Sequence, residues 1–355
     1  MGENSAGAPA EDRDKIYRLI KRFVPEPVLK ATAGILPRGL KSGVKTLINS
    51  RALGSVETLL RARQDAKLKA GRRNYSKAEI AEQLRAIPTP EGAIVFLHSG
   101  LSKLGYVEGG AETLADLLIA LFVVERKGTL AMPAFSMTGT MYETLQDPTP
   151  FDQANTPSGV GKITDVFRRR AGVVRSLHPT HSVSALGPDA EWLTRDHHTD
   201  PRAFGPASPL GRVLARDGYI LGLGTDLGPV TFYHVIEDLD PAFPLRVYTP
   251  DSPLTKTCRR EDGTAVAVAV MAHDSAVSAV RIDKPSGMAV RRFLTEDLRA
   301  RGVLRETPIG EGICWSIAAA DLYRRLGEWM QSSITIYSTA QELEARQSPP
   351  TQVRP

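Results

Sequence analysis

"AIVFLHSGLSKLGYVEGGAETLADLLIALFVVERKGTLAMPAF" spans residues 93–135, and its reading decides the fold class. "AIVFLH" (93–98) is an unbroken apolar run of strand length, the pattern of a strand buried on both faces. In "GGAETLADLLIALFVV" (109–124), Leu114, Leu117, Leu118 and Leu121 recur at i, i+3, i+4 and i+7, which predicts a helix with one buried face. "GTLAMPAF" (128–135) is a second short buried strand. Strand, helix and strand in that order predict a layered α/β core.

The same pattern extends in both directions. Upstream, "SKAEIAEQLRAI" (76–87) opens with Ser76 and Glu79 at capping-box spacing before the apolar stripe Ile80, Leu84 and Ile87. Downstream, "GKITDVFRRRAG" (161–172) reads as a helix and "GYILGLG" (218–224) as a further buried strand. Ser208-Pro209 suits a helix N-terminus with Pro at the first helical position. "VTFYHVIEDL" (230–239) reads as a helix that follows the 218–224 strand closely. No internal repeat is visible. The expected organisation is a basic, partly helical extension over 1–75, an α/β domain over 76–340, and a loose tail over 341–355.

Composition narrows the function classes. The 355 residues carry a net charge of +5, but residues 1–75 hold 16 Lys/Arg against 7 Asp/Glu and the remainder 29 against 33. The basic excess therefore belongs to the extension, and the global charge is no argument for a nucleic-acid partner. For the extension we expect a solvated arm, with peripheral contact to an anionic membrane surface as the sharper alternative. No apolar run reaches the ~18–20 residues of a membrane span, and the polar leader has no signal-peptide character. Two cysteines, Cys258 and Cys314, make neither a disulfide framework nor a Cys-rich zinc site. A cytoplasmic protein, monomeric or homodimeric, is the expectation.

Three stretches carry polar residues suited to chemistry. In "RSLHPTHS" (175–182), Pro179 biases His178 toward an extended conformation, from which an imidazole can project into a cleft as a general base. A hydrogen-bonded loop histidine is the alternative. In "TDLGPVTFYHVIEDLD" (225–240), His234 and Glu237 share a helical face, with Thr231 one turn earlier. Glu237 could there orient either His234 or His178. "FLHSGLSKLG" (96–105) puts His98, Ser99, Gly100 and Leu101 at the exit of a buried strand, where ligands gather in α/β sheets and backbone N–H groups can face a phosphate or an oxyanion. It is neither a Walker loop nor a dinucleotide fingerprint. "DHHTD" (196–200) reads as a polar surface loop rather than a metal cluster, and no metal is expected.

Taken in order, "FLHSGLSKLGYVEGG", "GTLAMPAFS", "TPSGVGKITDVFRRRAGVVRSLHPTHSVSALG", "FGPASPLGRVLARDGYILGLG" and "TFYHVIED" resemble the aminoglycoside N3-acetyltransferase family over roughly residues 80–335. The resemblance implies a three-layer α/β/α antibiotic N-acetyltransferase-like domain and an acetyl-CoA-dependent N-acetyltransferase acting on an aminoglycoside or related amino sugar. It implies His178 as the base and Glu237 as the carboxylate polarising the catalytic histidine, with His234 the next candidate. It implies a coenzyme pyrophosphate cradle at Ser99, Gly100, Leu101 and Ser102, beside His98, and cofactor or oxyanion contacts at Ser182 and Thr231.

The chain departs from the pattern in its basic arm and in the sparseness of acidic runs, whereas polycationic drugs favour acidic clefts. A biosynthetic amine that is not an antibiotic therefore stands as an alternative acceptor. A Ser–His–Glu hydrolase using Ser182 or Ser99, metal-dependent hydrolysis through His178, His181 and His234, and an inactive binding module are the other readings. Against the hydrolase stands the absence of a G-x-S-x-G elbow.

Overall fold

The apolar run at 94–99 is the middle of a seven-stranded sheet in the computed structural model, which describes residues 71–137 and 139–347. β1 (Ile94–Ser99) lies parallel to β2 (Thr129–Pro133) on one side and to β5 (Tyr219–Leu223) on the other. Antiparallel strands complete both edges: β4 (Val183–Leu186) and β3 (Val174–Arg175) beyond β2, β7 (Gly312–Ala318) and β6 (Arg305–Ile309) beyond β5. The order is β6-β7-β5-β1-β2-β4-β3.

Alternation along the central strands supplies two cores. Ile94, Phe96, Ala131 and Ile220 face one, and Val95, Leu97, Leu130, Met132, Leu221 and Leu223 the other. Helices cover both faces, because each strand of the parallel centre is apolar on both sides. On one side pack α1 (Lys77–Arg85), α2 (Gly110–Ile119) and α3 (Lys162–Phe167), through residues such as Ile80, Leu84, Leu114, Leu118 and Phe167. On the other pack α4 (Pro209–Ala215), α5 (Val235–Leu239), α6 (Met288–Ala300) and α7 (Ala319–Gln331), through Leu210, Val235, Leu294 and Leu322 among others. The architecture is the expected three-layer α/β/α.

Local chemistry sets the helix starts. Ser76 Oγ accepts from the Glu79 N–H at 3.2 Å, and the Ser76 N–H donates to Glu79 Oε2 at 2.8 Å, completing the capping box. Ser208 Oγ accepts from the Gly211 N–H at 3.0 Å, with Pro209 at the first helical position. The apolar stripe beyond α2 winds on as a π-turn over Ala120–Glu125. A small three-stranded sheet joins Phe151–Asp152, Leu254–Arg259 and Ala265–Val270.

The boundaries differ from the sequence reading at both ends. Asn74–Tyr75 pairs in parallel with Tyr106–Val107, so a cut at 75/76 passes through this pairing. Residues 340–347 form α8 (Ala340–Gln347), and Leu343 joins the core of the α4–α7 face, so the tail is not loose from 341. The expected basic helices before residue 71 and the tail beyond 347 lie outside the described residues. No helix among the described residues is long and apolar enough to cross a membrane.

Candidate active site

Glu237 is the centre of the polar cluster. It sits in the first turn of α5, behind a 3₁₀ turn at Thr231–His234, and its side chain is fully buried. Three groups donate to its two oxygens. The His234 Nδ1–H reaches Oε1 at 2.8 Å, the Tyr337 hydroxyl reaches the same oxygen at 3.0 Å, and the His273 Nε2–H reaches Oε2 at 3.0 Å. Burial alone opposes ionisation, but His234 and His273, by proximity and hydrogen bonding, outweigh it and hold the carboxyl well below the usual range. Glu237 is therefore a carboxylate at neutral pH.

A carboxylate accepts only, so the bond at Nδ1 fixes the tautomer of His234 and leaves its Nε2 with a lone pair. Around that nitrogen the nearest polar neighbour given by the structure is Nη1 of Arg281, a donor, at 3.4 Å. Burial lowers the His234 pKa below 6.5; Glu237 counteracts this, while His273 and Arg281 add to the lowering. The result is a neutral imidazole, oriented by a carboxylate, whose Nε2 accepts a long bond from Arg281 Nη1. Arg281, His273 and His181 line a cavity of about 520 Å³ together with Glu143, Asp283 and Lys284.

The structure does not bring His178 to Glu237. His181 and Phe204 intervene: the His178 and His181 rings are 6.2 Å apart, His181 meets Phe204 at 5.0 Å, and Phe204 stacks on His234 at 5.1 Å. His178 is 0% exposed and stacks on His197 at 4.3 Å. Its Nδ1 accepts the His181 N–H at 3.0 Å, which places the proton on Nε2, itself buried without a partner. Burial, with His197 and His181 adding to it, pushes the His178 pKa well down. As placed, His178 neither reaches Glu237 nor opens to a cavity, and its Nδ1 is engaged by the backbone. His181 accepts or donates at Nδ1 to Thr180 Oγ1 at 3.0 Å.

Two other segments are more buried than their sequence suggests. Ser182 is 0% exposed, donates to the Ala134 carbonyl at 2.8 Å and accepts from Arg175 Nε at 3.0 Å. "DHHTD" is not a surface loop throughout: His197 is buried, bonded to Ser176 Oγ and the Ala203 carbonyl, both at 2.9 Å. Thr231 opens the 3₁₀ turn and is buried.

The loop after β1 meets the loop after β5 at the carboxyl ends of two parallel strands. The Gly100 N–H donates to the Leu223 carbonyl at 2.8 Å, and a Cβ on Gly100 would stand 2.4 Å from the Gly224 carbonyl oxygen. Gly100, Ser102 and Lys103 line a cavity of about 710 Å³ with Gly224, Thr225 and Trp315. Leu101 is half-buried beside it. His98 and Ser99 are placed just behind; burial takes the His98 pKa down to about 4, and His98 Nε2 and Ser99 Oγ lack protein partners. Residues 224–234 connect this cavity to His234.

Sequence reasoning missed His273, Tyr337 and Arg281. They lie 36, 100 and 44 positions beyond Glu237, in segments with no spacing signal. His234, Glu237 and His273 also form a trio whose ligand atoms lie within 4.8 Å of one another. His234 Nδ1 and His273 Nε2 each lie at hydrogen-bond distance from a Glu237 oxygen. The trio differs from the His178–His181–His234 set considered from sequence.

Comparison with known proteins bears on the whole domain. The profile of the aminoglycoside 3-N-acetyltransferase family matches residues 96–331. Aminoglycoside N(3)-acetyltransferase VII of Streptomyces paromomycinus is 29% identical over 274 residues, covering 73% of this chain and 92% of the relative. A room-temperature neutron/X-ray structure of sisomicin-bound AAC-VIa is 30% identical with a TM-score of 0.60, covering 74% of this chain and 99% of that one. AAC-IIIb, solved as a binary complex with CoASH, shares the fold at 21% identity and a TM-score of 0.59, over 75% of this chain and 100% of its own.

Proposed function

This chain belongs to the aminoglycoside 3-N-acetyltransferase family, and from that premise we propose that it transfers the acetyl group of acetyl-CoA to an amine of an aminoglycoside or a related amino sugar, with His234 as general base and Glu237 as the residue that positions it. The observation carrying this is the Glu237–His234 bond of 2.8 Å, which orients the Nε2 lone pair of His234 toward Arg281, one of the residues lining the 520 Å³ cavity.

An amine attacks a thioester only through its free lone pair. Nε2 of His234 takes the proton the nitrogen gives up as the N–C bond forms and the C–S bond breaks, and the thiolate leaving group is reprotonated. Glu237 stabilises the imidazolium between those events, as a buried carboxylate does beside a catalytic histidine. A positioned base of this kind contributes ~10²–10⁴-fold, and holding both reactants in place contributes much of the rest. Acetyl-CoA supplies the activated acyl group, so the protein needs no nucleophile of its own.

The cavity at Gly100, Ser102 and Lys103 suits the coenzyme. Its two glycine loops approach so closely that a side chain at Gly100 does not fit, and Lys103 adds a cation where a pyrophosphate would lie. Ser99 and His98 support this loop from behind. A hydrolase reading finds no support in the side chains: Ser182 is spent on Ala134 and Arg175, and no serine among the described residues is bonded to His234. We place the reaction in the cytoplasm.

The test is thiol release from acetyl-CoA with a panel of aminoglycosides and amino sugars. Turnover dependent on one of these amines is the expected outcome. Absence of coenzyme binding would remove the reading.

A further inference from the structure

Asp238 follows Glu237 in α5 and is buried, at 5% exposure, yet the proposed reaction makes no use of it. Its Oδ2 accepts the Phe204 N–H at 2.9 Å, and the Tyr248 hydroxyl donates to Oδ1. The neighbouring Arg202 forms its ion pair with Asp200 and touches Asp238 only at the backbone carbonyl, at 2.7 Å. Burial raises the Asp238 pKa to about 6; the bonds from Tyr248 and Phe204 oppose that rise, Glu237 adds to it and His273 lowers it. A buried carboxylate held by neutral donors is costly, so what the two bonds hold in place matters.

Each bond ends on an aromatic residue that lies flat against a histidine of the site. The Phe204 ring stacks on His234 at 5.1 Å with 24° between the planes, and the Tyr248 ring stacks on His273 at 5.0 Å with 27°. His234 and His273 are the two imidazoles bonded to Glu237, and their rings are 4.8 Å apart. Phe204 lies in the loop before α4, and Tyr248 in a segment joined to His273 by an isolated β-bridge. No helix or regular strand sets either ring. A bond from Glu237 to one nitrogen gives an imidazole its direction but not its plane; a flat face against the ring gives the plane.

Resting on the acetyl-transfer reading above, we propose that Asp238 is a second positioning residue of this site: through Phe204 and Tyr248 it seats an aromatic face on each imidazole that Glu237 binds. Two adjacent carboxylates thus divide the task, Glu237 at the ring edges and Asp238, indirectly, at the ring faces. The Phe204 face also meets charge. When His234 takes the amine's proton, the imidazolium lies against the negative face of the ring, which favours the charged form. That stabilisation appears only as the proton moves, so it acts on kcat and leaves substrate binding alone.

The experiment measures kcat and both KM values from about pH 5 to about pH 7.5 in the wild type, Asp238→Asn, Tyr248→Phe and the double variant. The imidazole titration of His234 is followed by nitrogen NMR in each. Asp238→Asn is expected to lower kcat about tenfold at neutral pH with the acetyl-CoA KM unchanged. Tyr248→Phe keeps the ring and the carboxylate and loses only the hydroxyl, and kcat falls in the same direction. The double variant is no worse than Asp238→Asn, because members of one unit do not add. The ratio of wild type to Asp238→Asn shrinks toward one below pH 6, where the wild-type carboxyl is itself protonated, and His234 titrates lower in both single variants. A ratio constant with pH, or losses that add in the double variant, would overturn the inference, since a merely structural carboxylate gives those results. Should Asp238→Asn not fold, Tyr248→Phe decides: unchanged kcat and an unchanged His234 titration overturn it. Should the wild type acetylate no amine, the His234 titration decides alone. A shift in both variants upholds the clamp while the transfer reading falls, and no shift overturns the clamp.

Discussion

His234 and His178 are both buried histidines in one aromatic cluster, yet on the proposed mechanism only the first transfers the proton. The difference is in what each Nδ1 meets. A carboxylate at 2.8 Å makes Nδ1 of His234 a donor, whereas a backbone N–H at 3.0 Å makes Nδ1 of His178 an acceptor. The sequence carried the His234–Glu237 pair as an i, i+3 spacing and left open which histidine the glutamate serves. It could not show that Phe204 and His181 stand between His178 and Glu237, because that separation is tertiary. His273, which completes the carboxylate's shell, was illegible for the same reason. A pH prediction belongs here. The base must be neutral to act, and burial holds the His234 pKa below 6.5, so kcat/KM rises with pH through an acid limb below 6.5 and is flat from there to pH 7.5. A pH profile with its limb above 7 would contradict that environment.

At the scale of elements, apolar runs and caps were readable in detail. The buried strands at 94–99, 129–133 and 219–223, the capping box at Ser76 and the Ser208-Pro209 start each follow from a few neighbouring residues. The 3₁₀ turn Thr231–His234 and the helix 340–347 were not readable, since packing of buried residues such as Phe232 and Leu343 decides them. The loop after β1 was read as a ligand loop from its small residues, and the contact of Gly100 with Gly224 gives that reading its geometry. Gly100→Ala would put a Cβ 2.4 Å from a backbone carbonyl that has no side chain to move aside. The account predicts a KM for acetyl-CoA raised by about tenfold, with the amine KM changed far less, because a shift near 1 Å in a positioning loop is costly. Steady-state kinetics with each substrate varied, on variant protein of unchanged circular dichroism, check it. An unchanged coenzyme KM would move the cradle elsewhere.

For the molecule as a whole, the three layers follow from strands that are apolar on both faces, and the site follows from where the parallel strands end. The turn behind α5 and residues 273 and 337 converge from distant parts of the chain on one side chain, Glu237, and residue 281 on His234. The central claim is that one histidine of this cluster carries the proton. The measurement that tests it most directly is kcat for acetyl transfer by His234→Ala beside His178→Ala, each with its melting temperature. The account predicts a loss of about 10²–10⁴-fold in kcat with an intact fold for His234→Ala, and for His178→Ala a lower melting temperature with kcat of the folded fraction reduced far less. Loss of turnover in His178→Ala at full stability, with His234→Ala still active, would contradict it.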